Sequence, residues 1–179
     1  MSPATARART TSAAPSANPG GGYLVLTSYE AGIYDGDVGS KANFGTNVKY
    51  NKSGTNLQGN VNIIVRTGST EYQFKSNSLI QLNVTPTGTT PMGATFTSKA
   101  SGQSWNVSDP TAITSLGGNW TIQLQMHDVA EPGAGKDTIG ITVWGGSGAL
   151  VFSSYWDTNA TPVPTTKEWA IGGGNLQVH

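Results

Sequence analysis

Apolar and polar residues alternate along much of this chain in short segments. In the clearest segment, 120–127, every second residue from Trp120 to Met126 is apolar and the residues between them are polar. A period of two is typical of a β-strand with one buried and one solvated face. Segments 139–143 and 80–84 show the same alternation. The pattern therefore predicts at least three strands that each turn one face to a common core.

Other segments rich in β-branched and aromatic residues lie between turn-forming sequences. They predict further strands at 23–28, 41–50, 60–66, 70–75, 93–99, 103–107, 149–155, 168–171 and 175–178. Glycine-containing turns are predicted at 52–54, 67–69, 86–88 and 145–148. About ten to twelve short strands suit two packed antiparallel sheets. The predicted fold is all-β, an antiparallel β-sandwich with a jelly-roll-like or immunoglobulin-like layout.

The same pattern predicts which apolar side chains form the core. They are Leu24, Val61, Ile63, Val65, Phe74, Ile80, Leu82, Trp120, Ile122, Leu124, Ile139, Ile141, Val143 and Phe152.

Composition supports the all-β fold class and limits the kinds of partner that the chain is predicted to bind. Glycine contributes 24 of 179 residues and charged residues only 11%, against about 25% in an average soluble protein. The formal net charge is zero and no Lys/Arg stripe stands out, so nucleic acid is not a predicted partner. No apolar run approaches the roughly 20 residues of a membrane span, so membrane insertion is not predicted. The lack of cysteine excludes disulfides and thiolate sites.

The two ends of the chain differ from its body. Residues 1–19 contain no aromatic residue and no Leu, Ile or Val, which predicts a flexible Pro/Ser/Ala-rich linker or tail. Residues 20–179 are predicted to form a single domain. This domain begins and ends with Gly-Gly-Gly, at 20–22 and 172–174, so its first and last strands are expected to lie side by side.

Four stretches resemble a family of modules. They are Lys41-Ala-Asn-Phe-Gly with Val48-Lys-Tyr-Asn-Lys-Ser-Gly, then Leu57-Gln-Gly-Asn-Val, then Asp128 to Asp137-Thr-Ile-Gly-Ile, and finally Ile171-Gly-Gly-Gly-Asn-Leu-Gln-Val-His179. In this order they resemble the C-terminal β-rich, post-COAP-type module of bacterial secreted and surface multidomain proteins. The resemblance implies a secreted or cell-surface location and a non-catalytic accessory role. It does not imply a particular ligand.

Acidic loops predict a candidate calcium site. Asp128, Glu131 and Asp137 fall in one loop between two strong strands, and Asp35 and Asp37 fall in another. Calcium prefers six to eight oxygen ligands, many of them carboxylates. Neither loop matches the twelve-residue EF-hand pattern, and Asp and Gly also form ordinary turns. Calcium is thus a candidate cofactor that would stabilise the domain.

Aromatic residues predict a candidate ligand-binding site. Exposed rings can stack on sugar rings, and the candidates are Trp105, Trp144, Trp156, Trp169, Tyr29, Tyr34 and Tyr155. The densest patch is Tyr155, Trp156 and Asp157, and with Trp144 these residues form the predicted ligand-binding set. The alternative is that the same rings pack in the core or at strand ends.

Catalysis is not predicted. The chain has two histidines, His127 and His179, and no Gly-x-Ser-x-Gly elbow, His-Glu-x-x-His or phosphate-binding loop. His127 lies on the polar face of its strand, where Asp128 could orient it.

Two functions remain open from the sequence. The first is a structural or anchoring module that acts through protein–protein contacts, with neighbouring domains or with copies of itself. The alternative is a carbohydrate- or surface-binding module, stabilised by calcium. The edge strands of a sandwich favour the first, and exposed aromatic residues would favour the second.

Overall fold

The computed structural model describes residues 16–85, 92–130, 133 and 135–178. This part of the chain contains thirteen β-strands and no helix. The strands are β1 (Ser16–Val25), β2 (Lys41–Tyr50), β3 (Leu57–Thr67), β4 (Thr70–Val84), β5 (Met92–Asn106), β6 (Asp109–Asp128), β7 (Thr138–Trp144), β8 (Leu150–Ser153), β9 (Trp156–Asp157), β10 (Thr165–Thr166), β11 (Trp169–Ala170), β12 (Gly173–Gly174) and β13 (Gln177–Val178).

Some predicted features lie outside the described residues. They are residues 1–15 of the linker, the turn at 86–88, Glu131 and His179. The last four residues of the predicted linker, 16–19, belong to strand β1.

Consecutive strands β1 to β7 pair antiparallel in one continuous sheet. The C-terminal segment connects the two ends of this sheet, because β11 pairs with β7 while β12 and β13 pair with β1. Two adjacent amides make the connection: Ile171 N donates to Asp137 O at 2.9 Å and Gly172 N donates to Tyr23 O at 2.8 Å. The all-β, antiparallel, sandwich-like fold is thereby confirmed. In the described residues the main sheet is one continuous sheet rather than two, and β9 and β10 form a separate two-stranded sheet.

Glycines allow the first and last strands to approach closely. Gly22 pairs with Gly174 in the β1–β12 register, so the expectation that the glycine-rich ends lie side by side is confirmed. A Cβ on Gly174 would lie 2.1 Å from Gly21 O, and the φ of Gly174 is +98°. Because a side chain is excluded by both space and backbone conformation, this seam requires glycine.

The core is a single cluster of buried apolar side chains inside the sheet. Every residue of the predicted core is buried except Ile80, which is 52% exposed. The prediction for Ile80 is wrong because β4 contains register shifts at 76–78 and 79–81. Ile80 is the additional residue of the second shift, so its side chain leaves the core side and Leu82 returns to it.

The central strands β4, β5 and β6 are longer than predicted, whereas the predicted segments 149–155, 168–171 and 175–178 are longer than β8, β11 and β13. Segments 70–75 and 80–84 join as β4, and 93–99 and 103–107 join as β5. Strand β6 begins at Asp109, eleven residues before the alternating segment. Irregular pairing conceals this continuity, since each register shift interrupts the period of two.

Candidate functional site

Three aromatic rings from distant parts of the chain form a stack. The Tyr29 and Tyr155 ring centroids are 4.6 Å apart with planes 17° from parallel, and Tyr155 and Trp169 are 5.2 Å apart at 27°. Tyr29 is 56% exposed and Trp169 is 44% exposed. The stack therefore presents large flat surfaces to solvent, whereas most aromatic rings of a domain are buried in its core.

Backbone hydrogen bonds fix this stack on the sheet. Tyr29 lies in the loop between β1 and β2, and its carbonyl oxygen accepts from Trp156 N at 2.6 Å. Tyr155 lies between β8 and β9, and its carbonyl accepts from Lys167 N at 2.8 Å. The Lys167 ammonium also lies 5.8 Å from the Tyr155 ring centroid, within the range of a cation–π contact. Rigid neighbours on both sides thus set the positions of the rings.

A cavity of about 270 Å³ opens beside the stack. Its lining residues are Tyr29, Tyr155, Trp156, Asp157, Thr158 and Asn159. Asp157 Oδ1 accepts a hydrogen bond from Asn159 N at 2.9 Å, and this bond connects two of the polar residues that line the cavity. Flat rings next to a carboxylate, a hydroxyl and an amide can bind a ligand that is partly apolar and partly hydroxylated.

The structure brings the four predicted ligand-binding residues together. Tyr155, Trp156 and Asp157 line the cavity, and Trp144 contacts Trp156 edge to face at a centroid distance of 5.9 Å. Tyr29 and Trp169 complete the site. Both were among the aromatic candidates from the sequence but outside the predicted ligand-binding set, because residues 126 and 14 positions from Tyr155 give no local signal of proximity.

Other aromatic residues occupy different surroundings. Trp120 is only 7% exposed in the core, and Tyr34 stacks on it at 6.0 Å. The Trp105 indole donates to Glu71 Oε2 at 2.9 Å, near the β4–β5 pairing of their own strands. These residues serve packing, so the candidate platform is confined to the stack and its cavity.

A second, larger cavity lies near the irregular part of β4. It has a volume of about 460 Å³ and is lined by Tyr50, Thr55, Asn56, Leu57, Leu79 and Ile80. The Tyr50 hydroxyl donates to Leu82 O at 3.1 Å. This lining contains one aromatic ring, Tyr50, whereas the cavity beside the stack is lined by three aromatic rings, Tyr29, Tyr155 and Trp156.

Two of the predicted calcium-binding carboxylates bind backbone amides. Asp137 is fully buried, with Oδ1 accepting from Val129 N and Ala130 N at 3.0 and 3.3 Å and Oδ2 accepting from Leu176 N at 3.0 Å. Asp128 Oδ2 accepts from Val178 N at 3.0 Å. Both carboxylates thereby connect the β6–β7 loop to the C-terminal segment.

The other two predicted calcium-binding residues lie in the loop between β1 and β2. Asp37 Oδ2 accepts from Gly68 N at 2.6 Å, and the Asp35 carbonyl oxygen accepts from the Thr67 hydroxyl. Among the residues that the structure describes, no three His, Asp or Glu side chains converge in a way that would hold a metal. Calcium binding stays a prediction, and Glu131 lies outside the described residues.

Sequence reasoning missed a third carboxylate in this loop. Burial, followed by the negative charges of Asp35 and Asp37, raises the pKa of Glu30 from 4.5 to about 7. Glu30 Oε2 is buried and has no hydrogen-bond partner within the described part of the chain. Glu30 therefore takes up a proton at a higher pH than an ordinary glutamate does.

His127 is oriented by a different carboxylate from the expected one. Its Nδ1 lies 2.7 Å from Glu168 Oε2, and the same oxygen accepts from the Thr138 hydroxyl at 2.6 Å. Glu168 is 41 residues away in sequence and reaches His127 because segment 167–168 crosses the outer face of β7. The expectation that Asp128 orients His127 is replaced by this contact.

No protein-family model, curated protein or solved structure matches this chain. The resemblance to post-COAP-type modules therefore stays a prediction. The part of the chain that the structure describes contains no helix that could cross a membrane.

Proposed function

We propose that this chain is a non-catalytic accessory module that binds carbohydrate at the aromatic cavity. The observation that carries the proposal is the exposed stack of Tyr29, Tyr155 and Trp169 beside a polar cavity. A pyranose ring has an apolar C–H face that packs on an aromatic ring and hydroxyl groups that need hydrogen-bond partners. The cavity supplies both kinds of surface at adjacent positions.

The arrangement of the site favours binding with little reorganisation. Tyr29 and Tyr155 lie on loops whose carbonyl groups accept from Trp156 N and Lys167 N, and the Trp156 ring packs against Trp144 of β7. Loops held on a rigid scaffold are common binding sites, and a preformed site loses less entropy when a ligand binds. The resemblance described above supports a secreted or cell-surface location, which we include in the proposal.

Affinity electrophoresis tests this function. The protein is run in native gels containing hydroxyethyl cellulose, galactomannan, arabinoxylan or polygalacturonate. We expect retardation by at least one polymer, and its loss in Trp156→Ala and in Trp169→Ala. Trp105→Ala serves as the control, because Trp105 is a partly exposed tryptophan away from the cavity. Free migration of the parent protein in all polymers would contradict the proposal, as would unchanged retardation of both Trp156→Ala and Trp169→Ala.

A second candidate function is self-association, favoured by an exposed sheet edge. Residues 109–119 of β6 pair with β5 on one side, while pairing with β7 begins only at Thr121. Ile113 within this edge is 56% exposed. An exposed edge of this length can pair with the same edge of a second copy, which would give an anchoring module that acts through protein–protein contacts.

Light scattering after size exclusion tests self-association of the full chain, with calcium and with EDTA. The edge hypothesis predicts dimers or larger species that Ile113→Lys abolishes, because a charged edge residue opposes strand pairing. Val163→Lys is the matched control, since Val163 is 64% exposed, similar to Ile113, but lies outside the sheet. Monomers under every condition would leave carbohydrate binding as the sole proposal.

A further inference from the structure

The outer face of strands β4, β5 and β6 carries a grid of uncharged polar side chains. The strand register places Gln81, Thr97 and Gln123 in one row across the sheet and Asn83, Thr95 and Gln125 in the next. Most of these side chains are exposed, while their sequence neighbours Leu82, Phe96 and Leu124 are buried. Neighbouring strands lie about 4.8 Å apart, so the amide and hydroxyl groups recur at regular short intervals.

Hydrogen bonds within the grid hold several of its side chains. Gln81 Nε2 donates to Asn83 Oδ1 at 3.1 Å, and Asn83 Nδ2 donates to the Thr95 hydroxyl at 3.5 Å. Fixed amides lose less side-chain entropy when they bind a further partner. The grid is therefore a partly preformed array of donors and acceptors.

The grid is continuous with the aromatic cavity through Trp144. The Trp144 indole Nε1 donates to Gln123 Oε1 at 2.8 Å, and its ring contacts Trp156 of the cavity edge to face. Beside the grid, segment 165–168 covers β7, with the Thr142 hydroxyl donating to Thr166 at 2.6 Å. A ligand that leaves the cavity past Trp156 and Trp144 thus meets an open polar face bordered on one side by this segment.

The two rows contain no charged side chain. Lys99 lies one row beyond Thr97, the His127–Glu168 pair lies one row beyond Gln125, and Lys167 lies in the segment that borders this face. An anionic polymer would lose hydration on this face without gaining a counter-charge from the rows. A neutral polymer exchanges its hydroxyl–water hydrogen bonds for bonds to amides and hydroxyls, which are donors and acceptors at once.

We propose that the ligand is a neutral polysaccharide chain, bound by the cavity at one sugar and lying across the β4–β6 grid with the following sugars. This inference rests on the proposed function, because it extends the same site. It specifies that the carbohydrate is neutral and that full affinity requires several linked sugars. The cavity supplies the anchoring ring contact, and the grid supplies hydrogen bonds that only a longer chain reaches.

The test compares short and long saccharides by isothermal titration calorimetry. The probes are the disaccharides and hexasaccharides of β-1,4-glucan, β-1,4-xylan, β-1,4-mannan and polygalacturonate. For at least one neutral series we expect the hexasaccharide to bind about tenfold more tightly than the disaccharide, the effect of one or two net hydrogen bonds. The double variant Thr95→Val/Gln125→Leu keeps the shape of the grid and removes hydrogen-bonding groups. It should lower hexasaccharide affinity to that of the disaccharide and leave disaccharide affinity unchanged.

Controls separate failure of this inference from failure of the proposed function. Thr114→Val, on the exposed half of β6 outside the grid, should bind like the parent protein. Three results would overturn the neutral-chain inference: equal affinity for both lengths, unchanged hexasaccharide affinity in the double variant, or a preference for polygalacturonate. If Trp156→Ala still abolished binding, the proposed function would stand in each of these cases. Absence of binding to every saccharide would overturn both proposals.

Discussion

Asp137 Oδ2 accepts a hydrogen bond from the backbone amide of Leu176 at 3.0 Å, joining the loop before β7 to the C-terminal segment. The other carboxylate oxygen accepts from Val129 N and Ala130 N. The fully buried carboxylate of Asp137 therefore satisfies three backbone donors. The Asp137–Leu176 hydrogen bond lies where the C-terminal strands β11 to β13 connect β7 to β1.

We expect Asp137→Asn to lower the free energy of unfolding by about 2–3 kcal/mol. An asparagine can still accept from Val129 N and Ala130 N, but its NH₂ group would face the Leu176 amide. Urea denaturation measures the loss. Asp35→Asn is the control, since Asp35 is exposed, and should change stability by less than about 0.5 kcal/mol.

Calcium dependence distinguishes this structural role from metal binding. The loss in Asp137→Asn should be the same in calcium and in EDTA, because the contacts are to backbone amides. A loss seen only in calcium would instead support the calcium site predicted from the sequence.

Gly174→Ala should destabilise the seam by more than about 2 kcal/mol. The new Cβ would overlap Gly21 O, and alanine is unfavourable at a φ of +98°. Gly45→Ala is the matched control, because Gly45 lies on the adjacent strand β2 with no heavy atom within 4 Å of its Cβ position. Equal melting temperatures of the two variants would show that the seam tolerates a side chain.

Stability should fall between about pH 4.5 and pH 7 because of Glu30. Burial raises the pKa of Glu30 to about 7, so in this window the folded state retains a proton that the unfolded state has released. The unfolding free energy then decreases as the pH rises through the window. Urea midpoints measured from pH 4 to pH 8 should show this slope in the parent protein and a smaller slope in Glu30→Gln. An identical slope in the variant would exclude Glu30 as its source.

Truncation to alanine should lower stability strongly at Leu82 and hardly at all at Ile80. Leu82→Ala removes a buried side chain, with an expected loss of about 2–5 kcal/mol. Ile80→Ala removes an exposed one, and we expect a change within about 0.5 kcal/mol. Chemical denaturation of the two variants checks whether the second register shift of β4 is present in solution.

The sequence predicted the fold class and most of the core, because alternation reports directly which side of a strand is buried. It failed at Ile80, where an extra residue shifts the alternation by one position. A register shift leaves no reliable local signal, so two halves of β4 read as separate strands. The glycine seam was predicted from composition at the chain ends, since closely paired backbones require residues without side chains.

The sequence predicted Tyr155, Trp156, Asp157 and Trp144 as the ligand-binding set, and it placed Tyr29 and Trp169 only in the wider group of aromatic candidates. Tyr155, Trp156 and Asp157 form a visible cluster, whereas Tyr29 and Trp169 reach it through the tertiary fold. The same limit explains why Glu168 was not expected beside His127. Acidic loops suggested calcium because carboxylates are common in both metal sites and turns, and the amide partners of Asp137 depend on the position of the C-terminal segment.

The most direct test of carbohydrate binding is a titration followed by NMR of the five tryptophan indole N–H signals, assigned with single Trp→Phe variants. The ligand is the neutral polymer that retards the protein most strongly in native gels. The proposed site predicts shifts of the Trp156, Trp169 and Trp144 signals, with the Trp120 and Trp105 signals unchanged. Shifts confined to Trp105, or no shift of any indole signal at saturating polymer, would contradict it.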